Sequence, residues 1–154
     1  MTRRPSVLKS TRFGVLRPDA GSILTLIDGL VGFPDQRRFL LVDHAGREDF
    51  GWLQSLEDGG LAFPVTDPRR HWPECRYAFS ADDLRGLDLA PGEDPDVLVT
   101  VSVPAGGGLR LNLGGPLVFN FRRRRGRQLV QAPGAPVPAA LPCSFSPVEK
   151  AKAS

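Results

Sequence analysis

Glycine and proline interrupt this chain so often that long regular elements have no room to form. The 154 residues include 17 glycines and 15 prolines, scattered along the chain without a fixed period. Both residues weaken the interiors of helices and strands, so this punctuation favours many short elements joined by turns. The length fits one domain with a single core. The sequence therefore predicts a mainly β protein, a small antiparallel barrel-like or sandwich domain with one short helix, and it excludes a helical bundle.

The clearest predicted strand is DVLVTVSVP (96–104), where valine at every second position gives one apolar face. The segments 50–56 and 61–67 flank EDGG, a connection of the length that β-hairpins use. Pro64 falls inside the second of these segments, which predicts an edge or bulge position. The remaining predicted strands are 11–17, 22–27, 37–43, 109–113, 117–121 and 127–132.

One helix is predicted, at SADDLRGL (80–87), and it would be barely two turns long. Ser80 is its expected N-cap, Asp83 stands at the third helical position, and Gly86 lies where the helix would end.

The two ends of the chain differ in composition from the middle. Residues 1–10 are predicted to be a flexible leader, and 11–131 form the predicted β domain. Residues 132–154 contain five of the fifteen prolines, which predicts a disordered or extended tail.

The net charge of +3 comes from one short segment. Residues 1–121 hold 16 acidic and 13 basic side chains, so the body is mildly acidic, and this distribution argues against a uniformly basic nucleic-acid-binding face. The arginine run that reverses the sign is a solvated turn between strands or, as the alternative, the basic loop of a nucleic-acid-binding β-barrel. Single-strand binders need exposed stacking aromatics, and the alternating phenylalanines before the run are typical of core positions, which favours the turn. The run consists of Arg122, Arg123, Arg124, Arg125 and Arg127.

No catalytic or metal-binding pattern is found in the sequence. His44, His71, Cys75 and Cys143 lack the convergent spacing of a zinc site, and His71 with Cys75 is a weak match to a thiolate pair. Ser55 lacks the glycine elbow of a nucleophilic serine, and the glycine-rich stretches lack a phosphate-binding pattern. We therefore predict no enzymatic activity, no metal and no cofactor.

The chain lacks an apolar stretch of signal-peptide or membrane-spanning length, and its two cysteines are predicted to be reduced thiols. These features predict a cytoplasmic protein without membrane attachment.

Four segments in register resemble the family of flagellar assembly factors called FliW. These are TRFG (11–14), DGLVGFPDQRRFLLVD (28–43), WLQSLEDGGLAFPVTDP (52–68) and LRLNLGGPLVFN (109–120) followed by GRQLV (126–130). The resemblance covers about residues 11–131. The matching positions in the last two segments are Leu53, Gln54, Ser55, Leu61, Ala62, Phe63, Asp67, Pro68, Asn112, Leu113, Pro116, Asn120, Gly126 and Gln128.

The resemblance implies a non-enzymatic, chaperone-like protein of flagellum biogenesis and translation regulation. FliW proteins bind flagellin and the translational regulator CsrA in the cytoplasm, and export of flagellin frees FliW to capture CsrA by partner switching. For Gln54 and Ser55 two roles stay open, namely satisfying nearby backbone groups or bonding to a partner strand. The partner-binding positions implied are Phe33, Leu53, Gln54, Ser55, Asp67, Asn112, Asn120 and Gln128.

Overall fold

The computed structural model describes residues 8–44, 46–102 and 104–130, with the backbone alone at Arg47. Most of the predicted leader and all of the predicted tail beyond residue 131 lie outside the described residues. Leu8–Ser10, the last three residues of that leader, form a strand, so regular structure begins earlier than predicted.

Ten strands and one α-helix follow each other along the described chain. A 3-10 turn at Ala20–Ser22 precedes β3, and the α-helix, α1, is Pro68–His71. The strands are β1 (Leu8–Ser10), β2 (Gly14–Leu16), β3 (Ile23–Leu26), β4 (Arg38–His44), β5 (Arg47–Ser55), β6 (Ala62–Thr66), β7 (Asp96–Ser102), β8 (Arg110–Leu111), β9 (Leu117–Asn120) and β10 (Arg125–Gln128).

Seven of these strands close into a barrel-like sheet in the order β6-β5-β4-β3-β10-β9-β7, because β7 also pairs with β6. This closure decides between the two predicted architectures in favour of the barrel. The neighbours are antiparallel except at β3 and β10, where Thr25 and Leu26 pair in parallel with Arg125 and Gly126. The predicted antiparallel arrangement is therefore confirmed at every barrel pairing except this one. Strand β8 adds to the end of β7.

The barrel interior is filled by aliphatic and phenylalanine side chains from nearly every strand. Gly126 lies at the parallel joint, where a side chain would overlap the ring of Phe119, so the close approach of β10 and β9 requires glycine. The edge position predicted for Pro64 is confirmed, because β6 pairs with β7 only through Val65 and Thr66 and Pro64 therefore has no partner on β7. The interior cluster comprises Leu24, Leu26, Leu30, Phe39, Leu53, Val65, Leu117 and Phe119.

The β1–β2 hairpin lies outside the barrel and packs against β5. The ring of Phe13 meets that of Trp52 edge-on at 6.0 Å between centroids, and the Arg12 guanidinium lies 4.2 Å above the Trp52 ring. The Thr11 amide donates to Gly59 O at 3.1 Å. Strand β5 is therefore covered on both faces, which explains why both Trp52 and Leu53 are buried.

The helix predicted at 80–87 is wrong, since that segment is a series of turns. Its capping pair does form, with Ser80 N donating to Asp83 Oδ2 at 2.9 Å and Asp83 N to Ser80 Oγ at 3.0 Å. Gly86 and Asp88 then adopt φ values of 86° and 57°, which end any right-handed helix before a second turn. The actual helix begins after Asp67, whose side chain caps the Arg69 amide, with Pro68 in the first position.

Several strand boundaries also differ from prediction, and the strand predicted at 11–17 is confined to Gly14–Leu16. The strand predicted at 127–132 runs from Arg125 to Gln128, because its pairing begins within the arginine run. The strand predicted at 109–113 shrinks to Arg110–Leu111.

Candidate functional site

Gln54 is buried near the end of β5, and its side chain forms hydrogen bonds to groups within the protein. The Ser10 hydroxyl donates to Oε1 at 2.7 Å, and Nε2 donates to Ser55 O at 2.9 Å and to Leu61 O at 3.1 Å. The side chain thus joins β1 of the outer hairpin to the loop between β5 and β6. Full burial with satisfied partners supports the first of the two predicted roles, which is holding the fold.

Ser55 has the same internal role one residue further along. Its hydroxyl donates to Gln36 Oε1 and accepts from the amides of Glu57 and Asp58, both at 3.1 Å. These bonds shape the turn that connects β5 to β6, as a serine turn does. Glu57 in that turn accepts from the Arg38 amide at 2.9 Å, so the turn is also fixed to the start of β4.

Four of the eight predicted contact residues have almost no exposed surface. Leu53, Gln54 and Ser55 are fully buried and Asn120 is 3% exposed. Asn120 Nδ2 donates to Leu87 O at 2.8 Å and so holds the 80–95 connection against β9. Burial leaves these four side chains almost no surface to offer a partner, so their direct contact with one stays a prediction.

Asn112 and Gln128 of the predicted set flank one backbone turn beside the loop that carries Phe33, and we use the name apolar–amide patch for Val31, Phe33, Asn112, Gln128 and Val130. Gln128 Oε1 accepts from the Val31 amide at 2.8 Å, and its Nε2 donates to Gly115 O at 3.1 Å. A side chain at position 115 would lie 2.9 Å from Asn112 Nδ2 and 3.0 Å from Gln128 Nε2, so glycine lets the two amides flank one backbone turn.

The apolar part of the patch is unusually exposed for side chains of this type. Val31 is 65% exposed, Val130 is 70% exposed and Phe33 is 38% exposed, with the Phe33 ring held edge-on by Phe63 at 5.2 Å. Sequence analysis found Phe33 but missed both valines. The available signal for Val31 was GLVGF, where Leu30 and Val31 stand between two glycines in a segment too short and too interrupted for a strand.

Asp67 lies apart from this patch, at the start of α1. Its Oδ1 accepts from the Arg69 amide at 2.9 Å, and its side chain is 29% exposed. It therefore caps a helix while keeping part of its charge at the surface.

The arginine run is a turn at Arg122–Arg124 followed by β10, and three of its side chains pair with carboxylates. Arg127 also donates to Arg85 O at 2.8 Å and to Asp83 O at 3.2 Å. The run therefore fastens the 80–95 connection to the barrel, and much of its charge is neutralised. The ion pairs are Arg122–Glu93 at 2.8 Å, Arg125–Asp88 at 3.4 Å and Arg127–Asp28 at 2.9 Å.

The residues considered for chemistry do not assemble into a reactive centre. His44 is buried and stacked on Trp52 at 6.0 Å, whereas His71 Nε2 lies 2.9 Å from Thr66 Oγ1. Burial, with a contribution from nearby Asp67, raises the pKa of the Cys75 thiol, the opposite of what activates a nucleophile. In the described part of the chain, no three histidine, cysteine or carboxylate side chains are grouped to hold a metal ion. Cys143 lies outside the described residues.

No helix among the residues described is long and apolar enough to cross a membrane.

The closed barrel with an outer hairpin packed against one wall defines this chain as a small β-barrel protein. The model of the FliW protein family matches residues 7–140. A flagellar assembly factor FliW from Magnetococcus marinus is 34% identical over 140 residues, which span 90% of this chain and 86% of that protein. The counterpart from Natranaerobius thermophilus is 34% identical, over 82% of this chain and 85% of its own length.

A crystal structure of the flagellar assembly factor FliW superimposes with a TM-score of 0.77. It covers 89% of this chain and 96% of the solved one at 21% sequence identity, so it supports the fold alone. The family match and the two relatives decide the classification, and this chain belongs to the FliW family of flagellar assembly factors.

Proposed function

We propose that this chain binds flagellin and CsrA in turn, in the cytoplasm, and thereby relieves the repression of flagellin translation. The two partners compete for the protein, and their free concentrations and affinities decide which of them is bound. No chemical step is involved. The observation that carries this proposal is membership of the FliW family over residues 7–140.

The apolar–amide patch supplies a surface suited to flagellin. Exposed valine and phenylalanine side chains gain from desolvation, while Asn112 offers an exposed amide for hydrogen bonding to a polypeptide. Gln128 Oε1, by contrast, already accepts a hydrogen bond from the Val31 amide, so Gln128 positions Val31 within the patch and is not itself offered to a partner. Leu53, Gln54, Ser55 and Asn120 support the barrel wall and connections around it.

Nucleic-acid binding by the arginine run is not favoured by any observation on the structure. Three of the five guanidiniums are paired with carboxylates, and Phe119 is buried in the barrel while Phe121 stacks on it at 4.9 Å. The combination of free positive charge and exposed stacking rings that single-strand binders use is missing from the run.

The test uses the full chain immobilised on a surface, with purified flagellin and CsrA as analytes. We expect each to bind alone, and we expect flagellin added to the preformed CsrA complex to release CsrA. Failure of both proteins to bind at about 10 μM, a concentration that half-saturates an interaction of about 7 kcal/mol, would refute the proposal.

A matched pair of variants tests the surface. Val31→Asp introduces a charge into the patch, and Val15→Asp makes the same change at a 56% exposed valine on the outer hairpin. We expect Val31→Asp to weaken flagellin binding by about tenfold or more and Val15→Asp to leave it within about twofold. Equal loss in the two variants would show that the patch is not the contact surface.

A further inference from the structure

The barrel is open at one end, where a cleft of about 220 Å³ enters its wall. Its floor is formed by Leu41, Gly51, Val65 and Leu98, and we call this opening the barrel mouth. Gly51 pairs with Asp43 on β4 and with Val65 on β6, so the middle of three adjacent strands carries no side chain at this level. A Cβ at position 51 would lie 3.4 Å from Leu41 Cδ1 and 3.9 Å from Val65 Cγ2, both of which belong to residues that line the cleft.

Burial changes abruptly along the inner face of β4 towards this mouth. Phe39 is fully buried, whereas Leu41, two residues further along the same face, is 42% exposed. The partner of Leu41 on β5 is Leu53, which is fully buried, so within this pair the exposure is confined to Leu41. The exposed aliphatic surface of this floor is thus supplied by Leu41 and the half-buried Leu98, with Val65 buried beneath them.

The rim of the mouth is acidic. Four carboxylates and one guanidinium surround the floor, and Asp43 and Glu48 are exposed while Asp49 and Asp67 retain 25% and 29% of their side-chain surface. An apolar floor inside a negative rim selects a ligand that is apolar at its tip and positive around it. The rim repels nucleic acid and anionic lipid. The rim residues are Asp43, Glu48, Asp49, Asp67 and Arg70.

We propose that the barrel mouth binds one aliphatic side chain presented by a lysine- and arginine-flanked segment of a partner polypeptide. The space is sufficient, because a cavity of about 150 Å³ lined by aliphatic groups already accommodates benzene. The flanking basic side chains meet Asp43 and Glu48 at the rim, and the aliphatic group covers Leu41. This inference goes beyond the flagellin surface proposed above, since the mouth and the apolar–amide patch share no residue.

The probe is a labelled synthetic peptide with one leucine between two pairs of basic residues, titrated into the isotopically labelled full chain at low salt. We expect saturable chemical-shift changes at the amides of Gly51 and Thr66, which line the mouth. We expect a peptide with serine in place of leucine to bind about tenfold more weakly, as burial of one aliphatic side chain implies. A glutamate-flanked leucine peptide should not bind.

A charge-matched pair of variants completes the test. Asp43→Asn with Glu48→Gln removes two rim charges, and Asp35→Asn with Glu74→Gln removes two exposed charges that do not line the mouth. We expect the rim variant to bind the leucine peptide about five- to tenfold more weakly and the control to stay within about twofold.

Equal weakening by both variants, equal affinity for leucine and serine peptides, or no shift at Gly51 with millimolar peptide would each overturn the proposal. Because the probe is synthetic, a failure here is independent of whether flagellin or CsrA binds elsewhere on the protein.

Discussion

Two regions of this barrel contain polar side chains whose role the sequence alone did not decide. These side chains are buried in one region and exposed in the other. At the end of β5, Gln54 and Ser55 are fully buried and bond to neighbouring backbone and side chains. At the start of β10, arginines lie at the surface and pair with carboxylates of the 80–95 connection.

Both regions fix a connection to the barrel wall, but the medium around them differs. A buried polar group left without its partner loses much of its solvation, whereas an exposed charge regains water. We therefore expect the hydrogen bonds of Gln54 and Ser55 to contribute strongly to the free energy of unfolding, and we expect the arginine ion pairs to contribute weakly. The four variants below are ordered by the size of the effect that this difference implies.

The largest loss of stability is expected for Gln54→Met, which keeps most of the side-chain volume and removes every hydrogen bond. The Ser10 hydroxyl would lose its acceptor in a dry environment, and the β5–β6 connection would lose the Nε2 bonds to Ser55 O and Leu61 O, which costs about 2–4 kcal/mol of unfolding free energy. Urea denaturation at 20 mM and 1 M sodium chloride measures it. The loss should be the same at both salt concentrations, and a neutral variant would show that these bonds make no net contribution.

An intermediate effect is expected for Glu57→Gln in the β5–β6 turn. Burial by itself raises the pKa of Glu57, but hydrogen bonds from the Arg38 amide and side chain and from the Arg37 amide outweigh it and lower the pKa below its ordinary value. Three donors to one carboxylate contribute about 1–2 kcal/mol at pH 7.

The sign of this pKa shift sets the pH dependence of the Glu57→Gln loss. A carboxyl whose pKa is lower in the folded state stabilises the protein above its unfolded pKa, near 4.5, and loses that contribution as pH falls through the folded value. The difference in unfolding free energy between wild type and Glu57→Gln should therefore be constant from pH 7 to 6 and shrink below about pH 4. A difference that persists at pH 3 would contradict a charge-based origin.

The extent to which the sequence predicted these regions follows from the range of the interactions involved. Period-two patterns and turn residues are local, so they predicted β7 and the β5–β6 hairpin well. Barrel closure depends on pairings such as Arg125 with Thr25, far apart along the chain, and no local pattern specifies them. The segment 80–87 has the capping residues of a helix, but the positive φ angles of Gly86 and Asp88 are incompatible with a right-handed helix at its end.

The candidate sites were predictable to different degrees for the same reason. FGWLQSL carries large apolar residues on both faces, Trp52 on one and Leu53 on the other, and this double pattern indicates a strand covered on both sides. Because a strand covered on both sides buries all of its side chains, this pattern could also have predicted the burial of Gln54. The carboxylate partners of the arginine run could not have been predicted, because most of them lie in the 80–95 connection, which has no regular secondary structure.

A smaller loss is expected for Arg127→Gln, the most buried of the arginine pairs at 18% side-chain exposure. It removes the ion pair to Asp28 and the bonds to two carbonyls of the 80–95 connection, at a cost of about 1 kcal/mol. Amide hydrogen exchange at Leu87 should accelerate with this loss, because the connection is held less tightly. Arg123→Gln, a change at an exposed position in the same run, is the control and should leave exchange unaltered.

The smallest loss is expected for the double variant Arg122→Gln with Arg125→Gln. Their side chains are 60% and 50% exposed, and exposed ion pairs of this kind contribute about 0.5 kcal/mol or less each. Urea unfolding should show that difference at 20 mM salt and none at 1 M, where the screening length falls to about 3 Å. If the double variant instead lost as much stability as Gln54→Met, or kept its loss at 1 M salt, burial would not be what distinguishes the two regions. The arginine run would then have to be treated as part of the folded core, held by its backbone contacts to the 80–95 connection.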